Sequence, residues 1–560
     1  MKRNLLFMSV LASLFLVGCS QDEIAPNGEE SGNGETNTSY MAVNLVSSDV
    51  AGTRAAAGYE DGSVDENKVT GVRFYFFNGV GGAVNVKLQN GGGYVNYYDW
   101  NPKLDSDSDP VQSDDTNKDD DIESKLKAII VINTATGDGI PQRIAAVINP
   151  TDLEDKSMSL TELKDAVNDY ATSNLTSKGY FVMFNAVYAS GGAQVSTVAI
   201  TDDNLCKTPE EASDNPVTIY VERSVAKVRV TLDNKMGYDT DQGLALKDKE
   251  GKDLTIDGKQ VYLKLGGWGL TAETSESRLV KKIDPGWAYT WWNGTHRSFW
   301  AINSMKAQNR YHNYSSISTS FGVDNALYTN ENAQLTDIDG AKGKATKKTK
   351  VILKGQLCKE DGTSFTIVRH LGVHFADNAN LFKLKESILN QLAVSGHNYY
   401  YKKENEREPI GIDDLQIVIA SQQEYEESQN NCYVYTQLTD AAKAKVWYNS
   451  LEENAQPIVD AATEINGKLA DKEVVDRALV WKDGMTYYFY EIRHLDTEKG
   501  VVRNHIYETN VTKIAGLGTP VYDPEKVIYP EIPDPNDHFI AAQINILSWR
   551  LVKNDYELEW

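Results

Sequence analysis

Apolar and polar positions divide the chain into a short leader, a polar spacer and a long series of strand-like segments. Residues 5–17 are apolar apart from two serines, follow Lys2 and Arg3, and end in Leu16-Val17-Gly18-Cys19. A run this short, with a basic start and small residues at its end, predicts a cleaved export signal rather than a spanning helix. No later segment is long and apolar enough to predict a membrane span. Residues 21–38, rich in Gly, Asn and Glu, form a tether that cannot build a core. The pattern then alternates, with Met41, Val43 and Leu45 on one face of a predicted strand. Residues 49–58 are small and flexible, with Arg54 as their one basic residue and Ala55 after it.

Further strands are predicted at 69–77, 128–133, 144–149, 180–188 and 217–232, around an acidic stretch at 105–123 that reads as a solvated loop. Leu160, Leu163 and Val167 predict a helix over 159–172. A second β-rich section begins near Asp233, with strands at 261–270, 287–300, 350–357, 364–375, 399–402, 415–420, 485–493, 501–514 and 543–551. Leu381, Leu384, Ile388 and Leu392 predict a helix within 378–394, and 438–477 is a helix-prone insertion over the sheet. From Val552 the pattern alternates again. Val552, Tyr556, Leu558 and Trp560 stand against Lys553, Asp555, Glu557 and Glu559, with Trp549 and Leu551 just before. Strands with irregular connections and no βαβ alternation favour a mainly β fold of antiparallel sandwiches with a few helical insertions.

Composition narrows the function. Removing the leader leaves a chain suited to two or three domains. Thirty tyrosines, ten tryptophans and 41 glycines suit strands and turns. A net charge of −24 argues against nucleic acid, whose backbone would repel it. Beyond Cys19, the cysteines Cys206, Cys358 and Cys432 are too few and too widely spaced for a disulfide framework, although one bridge stays open.

Enzyme signatures are missing: there is no His-Glu-x-x-His, Gly-x-Ser-x-Gly or Walker loop, so no catalytic residues and no cofactor are assigned. His370 and His374 are expected on one face of a strand, and two histidines make a weak metal site. Asp105, Asp107 and Asp109 begin like a calcium loop, but Pro110 and Thr116 stand where Gly and Glu are needed. The aromatics Trp287, Tyr289, Trp291, Trp292, Phe299 and Trp300 suit a sandwich core better than a sugar-stacking surface. The lysines of 342–350 read as a solvated loop.

The ends carry more. A terminal strand pattern is either an edge strand of its own sandwich or a strand donated to another subunit, where ladder bonds give affinity and alternate side chains fill pockets. Cutting after Arg54 would free Met41, Val43 and Leu45 from their sheet and leave an apolar groove for such a strand. Several buried side chains at roughly 1.5–3 kcal/mol each, with ladder bonds of about 0.5–1.5 kcal/mol, offset the cost of ordering it.

The Leu-x-Gly-Cys ending resembles the lipobox of bacterial lipoproteins, which implies cleavage before Cys19 and lipidation of its thiol. The whole chain resembles shaft subunits of the Bacteroidetes type V pilus, nearest to the short (minor) fimbrillin group. The resemblance is carried by Cys19, by the first strand and Arg54, by 179–185, by Val221-Glu222-Arg223-Ser224-Val225-Ala226-Lys227-Val228, by 487–494, by 500–507 running on to Pro520, and by the terminal strand. It implies two transthyretin-like antiparallel β-sandwich domains and a division into leader 1–18, propeptide 19–54, domains 55–230 and 231–545, and donor strand 546–560. It also implies a major fimbrial subunit that reaches the surface as an outer-membrane lipoprotein. An arginine-specific protease then cuts between Arg54 and Ala55, and copies polymerise by strand exchange into a fimbria supporting adhesion and biofilm formation. The implied partners are copies of itself, anchor and tip subunits, that protease, adhesion receptors and a transient lipid anchor. Competing readings are a tip or anchor subunit, and a surface glycan-binding lipoprotein using the 287–300 aromatics.

Overall fold

The computed structural model describes residues 38–48, 62–63, 65–87, 93–102, 122–134, 139–170, 179–190, 193–248, 250–283, 309–333, 348–420, 433–494, 500–530, 540–547 and 551–555. The first half is built on β1 (Thr38–Ser48), β2 (Val72–Phe77), β3 (Tyr97–Trp100), β4 (Ile122–Asn133), β5 (Arg143–Ile148), β6 (Met183–Asn185) and β7 (Val217–Arg223). They form one sheet in the order β3-β2-β5-β6-β7-β1-β4, with Val198–Ala199 added on β5. The sheet curls, so that all seven strands feed one core containing Val43, Phe74, Tyr98, Ile130, Ile148, Met183 and Ile219. Alternation sends Tyr75, Phe77 and Val147 to a second core on the opposite face.

Helix α1 (Leu160–Asp165) covers part of that face and starts on a capping box between Ser159 and Glu162. It is shorter than the pattern predicts. The chain leaves it at Ala166, and Val167–Asn168 pairs instead with Ser277–Arg278. A second helix, α2 (Pro209–Asp214), follows a short turn and packs over β1.

The expected strand 217–232 is two strands. The chain changes sheets at Ser224, and β8 (Val225–Leu232) opens the second half with β9 (Tyr262–Thr271), β10 (Leu327–Asn330) and β11 (Lys350–Cys358). An inserted module then runs through β12 (Thr366–His370), β13 (Val373–Asp377), α3 (Phe382–Val394), β14 (Leu415–Ile419), β15 (Tyr433–Leu438), α4 (Ala461–Ala470) and β16 (Ala478–Trp481). The chain resumes with β17 (Met485–Glu491), β18 (Ile506–Ile514), β19 (Ile540–Leu547) and β20 (Leu551–Asp555). One sheet has the order β10-β8-β18-β19-β20; the other has β9-β11-β17 between Leu244–Ala245 and Thr519–Pro520. Both sheets line one core, with Val228 and Val511 from the first meeting Trp268, Leu353 and Tyr488 from the second. The protein is mainly β, as expected. Two ladders, β1 with β7 and β8 with β18, are parallel rather than antiparallel. Only hairpin neighbours are bound to run antiparallel, and these pairs lie far apart in sequence.

The module has the sheet order β13-β12-β16-β15-β14 and a core of its own, in which Leu384, Ile388 and Leu392 of α3 meet Trp447, Ile465, Leu469 and Val480. It is larger than the 438–477 insertion read from the sequence, and its helical part includes the predicted α3. Asp377 caps α3 by accepting from the amides of Lys383 at 3.2 Å and Leu384 at 2.9 Å.

The two histidines expected on one strand lie on two. Leu371 and Gly372, at φ of +52° and +77°, form a tight hairpin turn that sends His370 to β12 and His374 to β13. His370 meets Ser387 Oγ at 2.8 Å, whereas the His374 ring lies beside Trp481. Burial pushes His374 down to about 4, with Arg369 adding to the effect. Its folded pKa lies below its unfolded value. The stability it contributes is therefore complete above about pH 6.5 and lost as pH falls toward 4, roughly 1–3 kcal/mol in all. Urea unfolding at pH 7 and pH 4 should show that loss, and His374→Leu should flatten it. An unchanged slope in the variant would assign the loss to another group.

Candidate assembly site

Sequence reading nominated the two ends of the chain, and the structure gives each a distinct setting. Met41, Val43 and Leu45 are 0%, 0% and 2% exposed, so the alternating pattern of β1 points into the core as predicted. β1 is interior to its sheet. It pairs parallel with β7, from Val43 opposite Val217 to Ser47 opposite Val221. On its other side it pairs antiparallel with β4, from Thr38 opposite Asn133 to Ser48 opposite Ile122. Among the described strands, β4 joins the sheet through β1 alone. Removing β1 would therefore leave a slot with a strand on each side rather than a bare edge.

A third element reaches β1. The Tyr40 amide donates to the Cys206 carbonyl at 2.7 Å, and the Cys206 amide donates back to the Tyr40 carbonyl at 2.9 Å. Cys206 lies in the turn before α2, and nothing in the sequence pattern marked it.

At the other end, β19 pairs antiparallel with β18, from Ile506 opposite Leu547 to Ile514 opposite Ile540. β20 folds back on β19, with Leu547 opposite Leu551 and Ile546 opposite Val552. The carboxy-terminal segment is thus the edge hairpin of its own second-half sheet, held by one ladder. Of the nominated donor residues, Leu551 and Val552 lie on β20; Trp549, Tyr556, Leu558 and Trp560 lie outside the described residues, as do Cys19, Arg54 and Ala55. The aromatics of 287–300 and the Asp105, Asp107 and Asp109 triplet lie outside them as well. Among the described residues, no group of three or more His, Cys, Asp or Glu side chains could hold a metal ion.

Between these ends lies a buried polar junction. A segment of the second half, Leu279, Val280 and Ile283, enters the second core of the first half together with Val502. Lys281 on that segment donates to Glu222 at the end of β7 at 2.8 Å, both side chains being buried. Burial pushes the Glu222 carboxyl up and the Lys281 ammonium down, each against the opposing pull of its partner. Arg503, fully buried, donates to Glu331 at 3.3 Å and to the Leu279 carbonyl at 2.9 Å. Glu66 of the first half is 1% exposed, accepts from the Tyr328 hydroxyl at 2.6 Å and pairs with Lys227 at 2.9 Å. Arg223 donates to the Glu66 carbonyl at 3.1 Å, and the Asn504 amide donates to the Val225 carbonyl at 2.7 Å. The two sequence segments 221–228 and 500–507 therefore meet here, at the passage from one half to the other. Lys348 and Lys350, expected in a solvated loop, are also buried, each 3.7 Å from Glu491.

No curated protein matches the chain. Among solved structures, it is similar to a fimbrilin from Porphyromonas gingivalis, with 13% identity, 91% of this chain and 99% of that one covered, and a TM-score of 0.35. The tip fimbrial protein Mfa3 of the same organism gives 11%, 90%, 99% and 0.30. A fimbrial assembly protein from Parabacteroides distasonis gives 10%, 59%, 91% and 0.29. These likenesses are too distant to carry an argument. Residues 480–555, from β16 through β20, match the family described as major fimbrial subunit protein type IV, fimbrillin, C-terminal.

Proposed function

We propose that the protein is a structural shaft subunit of a cell-surface fimbria. It polymerises when a cut after Arg54 releases β1 and the terminal strand of a neighbouring copy takes its place. The observation that carries this reading is the interior position of β1, paired on both sides and joined to the rest of the chain through the segment containing Arg54. An interior slot offers an incoming strand two ladders, whereas β20 holds only one in its own subunit. The exchange therefore gains backbone hydrogen bonds as well as buried apolar area. Export as a lipoprotein lipidated at Cys19, loss of the lipid with the propeptide, and a role in adhesion and biofilm formation belong to the same proposal. Anchor and tip subunits, an arginine-specific protease and adhesion receptors are its partners.

Wild type, Arg54→Ala and a chain truncated after Leu547 decide the matter. Cells carrying either variant should lose SDS-resistant ladders and surface filaments, and the unprocessed precursor should accumulate in Arg54→Ala. Ladders of wild-type intensity in both variants would sink strand exchange.

A further inference from the structure

Resting on the strand-exchange reading, we propose that the fold itself makes the processing cut selective. It withholds the described arginines from an arginine-specific protease, and lysine serves where a basic residue faces water.

Among the described residues, no arginine is exposed, whereas Lys127, Lys156, Lys207, Lys235, Lys252 and Lys526 all are. The two residues have similar helix propensity and side-chain entropy, so folding and solubility are served by either at a water-facing position. Structural need explains why an arginine is used at a buried pair. It does not explain why the described surface takes none. A protease that reads the guanidinium supplies the reason, because any arginine left in reach would be a second cut.

Such a protease needs an extended segment in its cleft and the arginine side chain in its specificity pocket. Both requirements fail within the folded body. Arg73, Arg143, Arg223, Arg229 and Arg369 lie in β2, β5, β7, β8 and β12, where ladder pairing already engages the backbone. Guanidinium groups are engaged as well. Arg73 binds Asp99 and Asp155, each at 2.7 Å, and Arg229 binds Glu508 at 2.7 Å. Arg310 pairs with Asp169 and donates to the Ser275 carbonyl at 3.0 Å. Arg407 lies 3.8 Å over the Tyr448 ring and donates to the Ser450 and Ala455 carbonyls at 2.8 and 3.2 Å. Cleavage at any of these waits for local unfolding. Arg54 differs already in sequence, with Ala51-Gly52-Thr53 before it and Ala55-Ala56-Ala57 after it, so nothing bulky adjoins the cut. The exposed Lys156 and Lys526 lie in the connections from β5 to α1 and from β18 to β19, the kind of segment where proteases nick a folded chain.

The test digests the folded precursor in parallel with an arginine-specific and a lysine-specific endoprotease, matched for activity on a short peptide, and weighs the fragments. The arginine enzyme should cut after Arg54 at least about a hundredfold faster than at any described arginine, because those cuts wait for a rare open state. The lysine enzyme should cut at several exposed lysines over the same time. Lys156→Arg and Lys526→Arg should each add a second cut by the arginine enzyme and keep the wild-type unfolding midpoint. Comparable cutting at a described arginine, or resistance of both variants, overturns the proposal and leaves strand exchange standing. So does a lysine enzyme that spares every described lysine, since rigidity would then protect the chain whichever base it carried. An Arg54 that stays intact sinks the processing reading instead, whatever the other arginines do.

Discussion

Arg503→Ala should destabilise the protein by about 3–5 kcal/mol, the scale for breaking a buried ion pair from one side. The guanidinium is fully buried and shares both oxygens of Glu331, at 3.3 and 3.4 Å. It also bonds the carbonyls of Arg278 and Leu279 and, at 3.3 Å, the Ser277 hydroxyl. Truncation leaves the Glu331 carboxylate without its cation in a site that excludes water, and leaves the Arg278 and Leu279 carbonyls of the segment that passes into the first half without their donor. Arg503→Met with Glu331→Leu should recover part of the loss, because removing both partners leaves no orphaned charge. Denaturant midpoints read both outcomes. A midpoint for Arg503→Ala within about 1 kcal/mol of wild type, the range of a surface pair, would show that the cluster carries little stability.

This junction was the least legible part of the sequence. Arg503, Glu331, Lys281, Glu222 and Glu66 carry no periodicity, and their partners lie far along the chain. A reading by pattern assigns an isolated charge to solvent, as it did for Lys348 and Lys350. The resemblance did single out 221–228 and 500–507, but without a reason; the structure supplies one, since the two segments meet where the halves join. Where side-chain period alone decides, the sequence was explicit. Met41, Val43 and Leu45 face the core, and Leu384, Ile388 and Leu392 form the buried stripe of α3. It failed where a backbone turn intervenes in a uniform pattern. Leu371 and Gly372 split one apparent strand, and Ser224 marks a change of sheet inside an unbroken apolar alternation. The backbone contact of Cys206 with Tyr40 had no signal at all, because it is made by main-chain groups that every residue but proline carries.

Val43→Asp should destabilise the precursor by roughly 4 kcal/mol or more and leave the finished polymer unchanged. Val43 is fully buried, with Val217 on one side and Ala128 on the other. A carboxyl there has no counter-charge in the strand pattern, and burying it unpaired costs several kcal/mol or forces it to take up a proton. Because so large a penalty can prevent folding, Val43→Ala is the working variant, with an expected loss of about 2 kcal/mol from the deleted methyl groups and the cavity they leave. After the proposed cut, neither variant differs from wild type, since residue 43 is gone. Polymers grown from Val43→Ala precursor should dissociate in hot SDS at the wild-type temperature. Leu558→Asp should do the reverse, leaving the precursor's unfolding midpoint in place while lowering the dissociation temperature of the polymer. The crossed pattern separates the outgoing strand from the incoming one. A polymer weakened equally by both variants would mean that β1 stays in the assembled subunit, and the slot would then have no vacancy to fill.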